Sequence, residues 1–338
     1  MNRSSRTITI IFSIMLVTTL IGCSKSKQTP VNTNPPKDTV TVKQPQQQEQ
    51  QNQQEEAQKP EQKPHSPKLQ FNKALGIEAQ KITNENPDIV VNKLLVDDVP
   101  FYEIYKKDNS VKPLIIMIHF ATGSKESVVW NALDFAYKGF YCVVPDAYAH
   151  GERVNNPAIR MTQIEVFTSD ECNSLIDFYS SNKKVDISKL GIIGYSLGGS
   201  SAYHYAAYGK YKPKAIASYG STPYWEQLVD IGGIPMMTYS VVSGNGQTTD
   251  SQDTVNKYLI NNSPFKNYAN MKNMTVVMFN GEKDTVIPPE GAKKLYDALK
   301  SLGSKNVHLI LSKEGDHGEA TSENYLKTAN ELFLKALK

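Results

Sequence analysis

Six short, nearly unbroken apolar runs limit the folds open to this chain more than any other feature. They are "PLIIMIHF" (113–120), "FYCVVPD" (140–146), "LGIIGYS" (190–196), "KAIASYG" (214–220), "MTVVMFNG" (274–281) and "VHLILS" (307–312). A strand covered on one face alternates apolar and polar residues; the first three runs do not, so each reads as a strand covered on both faces, and the other three read as further strands. Between them lie stretches with helical periodicity: 125–139, 162–182, 198–208, 290–302 and 323–338. Thr162 and Glu165 have the spacing of a capping box. Upstream, "IVVNKLLV" (89–96) and "PFYEIYK" (100–106) read as a hairpin turning at Asp97-Asp98. A hairpin followed by repeated strand–helix units implies an α/β fold: a mostly parallel twisted sheet with helices on both faces.

The N-terminal part follows other rules. Arg3 and Arg6 precede the uncharged run Ile8–Ile21, which is shorter than the roughly 20 residues of a membrane-spanning helix and reads as the core of a secretory signal. It ends in Leu20-Ile21-Gly22-Cys23, which resembles a bacterial lipobox. That resemblance implies a signal peptide over 1–22 and a lipidated Cys23 that anchors an extracytoplasmic protein to the cell membrane. Residues 23–68 include "QPQQQEQQNQQEEAQKPEQKP", too poor in apolar side chains to offset the entropy of ordering, and are expected to form a disordered tether. The folded domain is expected over 69–338.

Composition excludes several functions. A formal charge of +3, from 37 Lys and Arg against 34 Asp and Glu, gives no field for gripping nucleic acid. Of the three cysteines, Cys142 and Cys172 fall in an apparent strand and helix; an exported chain permits a disulfide between them, but cysteines in such core-like places are more often free and buried. With no C-x-x-C or H-E-x-x-H there is no indication of a metal, and the chemistry below requires no cofactor.

One segment breaks the rhythm. Tyr219–Asn270 separates two core strands, where ordinary connections take about 2–6 residues, and reads as a cap or lid insertion. It offers Tyr224, Trp225 and Met237 as candidate walls of a substrate pocket, with Met236 and Tyr239 beside them. Packing of the lid itself is the other reading of these side chains.

The chemistry begins at Gly194-Tyr195-Ser196-Leu197-Gly198. A serine between two glycines can be a mere turn. Here a buried run precedes it and a small-residue helix start follows, the context of a nucleophile elbow. Such an elbow requires an acid and then a histidine further along. Asp284 follows a core strand in "NGEKDTVIPPE", with Glu282 its nearest competitor, and His317 follows the last strand in "GDHG". All three lie at carboxyl ends of strands, where open parallel sheets place their sites. His119 and His150 each precede a tight loop and read as shaping the site, with Asp146 and Arg153 expected to pair and brace the second loop.

These segments resemble the α/β-hydrolase superfamily, on its bacterial esterase and prolyl-oligopeptidase-like (dienelactone-hydrolase-like) side. "DISKLGIIGYSLGG" resembles the elbow, and "IHFATGSKES" and "PDAYAHGER" resemble two loops of small bacterial esterases. The resemblance implies an α/β-hydrolase fold, a Ser196–His317–Asp284 triad, and an oxyanion hole from the backbone N–H groups of Ala121 and Leu197. It departs at Phe120, where the family has glycine. The function implied is a serine hydrolase acting on a small-molecule ester, most simply a carboxylesterase. A small peptidase of the prolyl-oligopeptidase type and a non-catalytic binding protein on the same fold are the alternatives.

Overall fold

The computed structural model describes residues 69–71, 74–153, 161–230, 252–318 and 323–338. The signal segment, Cys23, the tether and Met237 lie outside them. Among these residues nine strands form one sheet: β1 (Leu69–Phe71), β2 (Ile89–Val96), β3 (Val99–Lys106), β4 (Lys112–Ile118), β5 (Tyr141–Pro145), β6 (Val185–Tyr195), β7 (Ala215–Tyr219), β8 (Thr275–Gly281) and β9 (Val307–Ser312). Their spatial order is β1-β2-β3-β5-β4-β6-β7-β8-β9. The first three strands and the β3–β5 pair are antiparallel, and every pair from β5 onward is parallel. The helices are α1 (Ile77–Glu85), α2 (Val129–Tyr137), α3 (Met161–Ser180), α4 (Leu197–Tyr208), α5 (Glu226–Asp230), α6 (Gln252–Asn262), α7 (Glu290–Ser301) and α8 (Glu323–Leu337).

The apolar runs are explained by strand geometry. Along β4, Leu114, Ile116 and Ile118 face a core shared with α3, α4 and α7, whereas Ile115 and Met117 face a second core shared with α1, α2 and α8. Successive side chains point to opposite faces, so a strand covered on both sides must be apolar at every position. At the hairpin, Asp97 and Asp98 take φ 49° and 66°, the pair of positive values that a two-residue turn matched to strand twist requires.

Two elements go beyond the sequence reading. β1 adds an edge strand against β2. α1 packs Ala79 and Ile82 into the second core, and its N-terminal end is capped from a distance: the Glu126 carboxylate accepts the N–H groups of Glu78 and Ala79 at 3.2 and 3.3 Å. The expected Thr162–Glu165 capping box turns on the Thr162 side chain, which lies outside the described side chains; Glu165 itself is buried, with Oε2 lacking a partner. Helix 125–139 begins instead as a 3-10 turn over Lys125–Val128.

The topology fixes where a site forms. The chain leaves β4 toward β5 on one side, then returns to β6 on the other and continues outward. The loops after β4 and β6 therefore diverge, opening a crevice at the carboxyl ends of these adjacent strands.

Candidate active site

Ser196 sits at this crevice, between β6 and α4. Its φ of 50° and ψ of −113° are a sparsely populated conformation for a residue with a Cβ, costing about 1–3 kcal/mol. The surroundings enforce it. The Ser196 N–H donates to the Tyr219 carbonyl at 2.8 Å, and its carbonyl accepts the Ser200 N–H at 3.1 Å, opening α4. A Cβ on Gly194 would lie 2.0 Å from the Gly198 oxygen, and one on Gly198 would lie 2.3 Å from the Ile118 oxygen. Glycine at both positions lets the helix start press against the ends of β6 and β4.

The other two side chains reach Ser196 from the far strands. His317 Nε2 lies 2.9 Å from Ser196 Oγ, and His317 Nδ1 lies 2.7 Å from Asp284 Oδ2. With the ring neutral, Nδ1–H donates to the carboxylate and Nε2 accepts the serine hydroxyl. The Asp284 side chain is fully buried, and its Oδ1 accepts the N–H groups of Val286 and Ile287 at 2.9 and 2.8 Å. Glu282, the competing acid, is exposed. The loops bearing Asp284 and His317 are tied directly: Glu282 N–H donates to Ser312 O at 2.8 Å and Lys283 N–H to Gly315 O at 2.9 Å. A Cβ on Gly281 would lie 2.2 Å from the Gly315 oxygen, so that close approach also needs glycine.

The loop after β4 passes over the same crevice. Leu197 is the first residue of α4, so its N–H has no intrahelical acceptor. Ala121 follows Phe120, whose carbonyl accepts two donors: His119 Nδ1–H at 2.7 Å and Gly123 N–H at 3.1 Å. Because the peptide is planar and trans, holding that carbonyl also sets the direction of the Ala121 N–H, which points the opposite way. His119 Nε2 accepts the Ala147 N–H at 2.9 Å, which fixes the tautomer. Burial holds His119 down at about 4, so it is neutral near neutral pH. The residue that departs from the esterase pattern, Phe120, lays its ring over Gly123, where a Cβ would meet it at 3.1 Å.

The second loop is braced differently from the expectation. Asp146 pairs with Lys125, Nζ to Oδ2 at 2.6 Å, and both side chains are almost wholly buried. Asp146 also accepts the N–H groups of Lys125 and Glu152 at 2.8 and 3.0 Å. Arg153 binds Glu171 instead, with its Nη1 2.8 Å from Oε2, and reaches only the backbone carbonyl of Asp146 at 3.5 Å. The Lys125–Asp146 pair therefore joins the two loops, a partnership the sequence reading missed. His150 is mostly buried, with Nδ1 2.9 Å from the Tyr148 carbonyl and its ring 5.5 Å from that of His119.

Among the insertion residues, Trp225 is 1% exposed and packs with Val166, Leu228, Leu259 and Ile287. Tyr224 stacks edge-on against Phe265, with Lys294 Nζ 3.4 Å from its ring centre. Cys142 and Cys172 are free and buried, and burial pushes both thiols well above their usual range. Among the described residues no group of three or more His, Cys, Asp or Glu side chains could hold a metal ion.

Comparison with known proteins agrees with this architecture. The dienelactone hydrolase family matches residues 102–336. A Bacillus subtilis (strain 168) protein named "Putative esterase YitV" is 24% identical over 246 residues, 68% of this chain and 92% of that protein. Among solved structures, TT1662 from Thermus thermophilus superposes with a TM-score of 0.57 at 16% identity, covering 74% of this chain and 98% of its own. Acetyl xylan esterase 1 from Thermoanaerobacterium sp. JW/SL YS485 does so with a TM-score of 0.57 at 15% identity, covering 81% and 89%. Those two likenesses speak to the fold, an α/β-hydrolase sheet. The match spanning 102–336, which runs from β3 into α8 and takes in the elbow, the acid loop and the histidine loop, shows that this chain belongs to the dienelactone hydrolase family.

Proposed function

We propose that this protein is a serine hydrolase that cleaves a carboxylic ester by acyl transfer to Ser196. The observation that carries the reading is the unbroken chain from Ser196 Oγ through His317 to Asp284, at 2.9 and 2.7 Å. A serine hydroxyl is a weak nucleophile until a base takes its proton. In this reading His317 Nε2 takes it as Oγ attacks the ester carbonyl, and then delivers it to the departing alkoxide. Water, deprotonated by the same nitrogen, hydrolyses the acyl-enzyme and regenerates Ser196. Asp284 keeps Nδ1 protonated and stabilises the imidazolium. The N–H groups of Ala121 and Leu197 hold the oxyanion, one such donor being worth about 3–4 kcal/mol.

Steady-state hydrolysis of p-nitrophenyl acetate tests the reading. Ser196→Ala is expected to abolish turnover, and His317→Ala to cost about as much because the groups act as a unit. Turnover by Ser196→Ala close to that of the unmodified protein would refute it. The reading extends to the cell: the run Ile8–Ile21 and the Leu-Ile-Gly-Cys sequence ending at Cys23 support a lipid-anchored, extracytoplasmic enzyme whose small-molecule substrate meets it outside the cytoplasm.

A further inference from the structure

The loop that carries Asp284 does not stand alone. Both N–H groups that hold Asp284 Oδ1 come from the next residues, Val286 and Ile287, at 2.9 and 2.8 Å. Where those amides lie decides where the carboxylate points, and the Ile287 side chain is fixed by the insertion. Ile287, 4% exposed, packs in one small cluster with Trp225 and Leu228 from the start of the insertion, Leu259 from α6 and Val166 from α3. This cluster is separate from the two large cores that cover the sheet.

Polar contacts hold the same loop. Gln227 Nε2 donates to the Pro288 carbonyl at 2.8 Å. A Cβ on Gly291 would lie 2.0 Å from Thr222 Oγ1 and 2.4 Å from Gln227 Oε1, so the insertion rests directly on the first turn of α7. The far end of the insertion is tied back to its start, with Ser263 Oγ donating to Glu226 Oε2 at 2.5 Å and Phe265 N–H to the Pro223 carbonyl at 2.9 Å. Loop 285–289 is thus gripped from the insertion side by one apolar cluster and one hydrogen bond.

We infer that the insertion positions Asp284 for the reaction, and that Trp225 and Ile287 are positioning residues acting on the carboxylate through the Ile287 N–H. This rests on the proposed Ser196–His317–Asp284 hydrolysis and assigns Trp225 a role other than walling a substrate pocket. A buried indole is the largest side chain in the cluster, and emptying its space lets the Ile287 side chain and amide shift. Small displacements of a supporting group are costly when the reacting geometry depends on it. Trp225 Nε1 is buried without a hydrogen-bond partner, so phenylalanine retains an aromatic ring in the cluster, fills more of the space than alanine, and gives up no hydrogen bond.

The test uses the full chain and its Trp225→Ala and Trp225→Phe variants, with active sites counted by fluorophosphonate labelling. Three readouts are compared: kcat per labelled site, KM for p-nitrophenyl acetate, butyrate and octanoate, and the low-field proton resonance of the His317–Asp284 hydrogen bond. We expect Trp225→Ala to lower kcat per site by about tenfold or more, by one common factor for all three esters, with KM little changed. We also expect it to shift or broaden the low-field resonance, while Trp225→Phe stays close to the unmodified protein. Simple destabilisation would lower the number of labelled sites and leave kcat per site intact. An unchanged kcat per site overturns the inference, and so does a loss confined to octanoate, which would make Trp225 a pocket wall. If Trp225→Ala does not fold, Gln227→Leu, which removes the bond to Pro288, carries the same expectations. Absence of labelling in the unmodified protein would defeat the hydrolase reading instead, and the resonance would still show whether the insertion sets the Asp284–His317 bond.

Discussion

Ser196 holds its strained backbone because Gly194 and Gly198 let the helix start pack so close that the elbow has no room to relax. At Gly198 the atom a Cβ would meet at 2.3 Å is the Ile118 backbone oxygen, which cannot swing away. Gly198→Ala is therefore expected to destabilise the fold by about 1–3 kcal/mol and to lower activity by moving Leu197 and Ser196 away from the loop after β4. Thermal melts and ester hydrolysis on the same sample check both. Asp284→Asn should cut kcat severely while leaving the melting temperature nearly unchanged, because the asparagine oxygen still accepts the Val286 and Ile287 N–H groups while the amide favours the wrong histidine tautomer. A third residue-scale prediction concerns Glu165. Burial raises its carboxyl from 4.5 to about 7, so the folded protein binds a proton that the unfolded chain has released between these values. Its contribution is complete below pH 4.5 and is lost as pH rises through 7. Glu165→Gln, which cannot ionise, should match the unmodified protein in melting temperature near pH 4.5 and exceed it near pH 8. Equal melting temperatures at both pH values would contradict this assignment.

At the scale of elements, the loops after β4 and β5 are locked together by a buried ion pair, Lys125 to Asp146. Replacing Lys125 with methionine leaves Asp146 without its counter-charge, and breaking one side of such a pair costs about 3–5 kcal/mol. Lys125→Met is thus expected to melt markedly lower and to hydrolyse esters more slowly, since the loop it steadies carries Ala121. Adding Asp146→Asn should recover part of the stability. What was legible in the sequence follows from the range of each interaction. The core strands were readable because cover on both faces leaves a run of apolar residues, and Ser196, Asp284 and His317 because each follows such a run. α1 was not readable: its cap is a carboxylate 48 residues away, at Glu126. The Lys125–Asp146 pair joins loops 21 residues apart, and no local pattern marks it. Asp146 with Arg153, near in sequence, was the natural expectation, but Glu171 on the facing helix α3 takes the arginine. Trp225 was readable as an apolar residue of an insertion; its contact with the acid loop depends on how α5 and α6 pack on α3.

At the scale of the whole molecule, the proposed enzyme assembles its site on one α/β sheet from four separated parts of the chain: the loop after β4, the elbow after β6, the acid loop after β8 and the histidine loop after β9. Placing it outside the cytoplasm on a lipid anchor depends on Cys23. Cells producing the full chain should incorporate labelled fatty acid into it and hold it in the membrane fraction, and Cys23→Ala should abolish the labelling without changing the hydrolytic rate of the folded domain. Equal labelling of the variant would remove the anchor from the account. The acyl-enzyme reading requires a covalent bond to Ser196, which intact mass spectrometry with peptide mapping detects. After reaction with a fluorophosphonate, one adduct per chain is expected on the peptide containing Ser196, and none on Ser196→Ala. An adduct on another residue, or an unmodified Ser196 in folded protein, would contradict it.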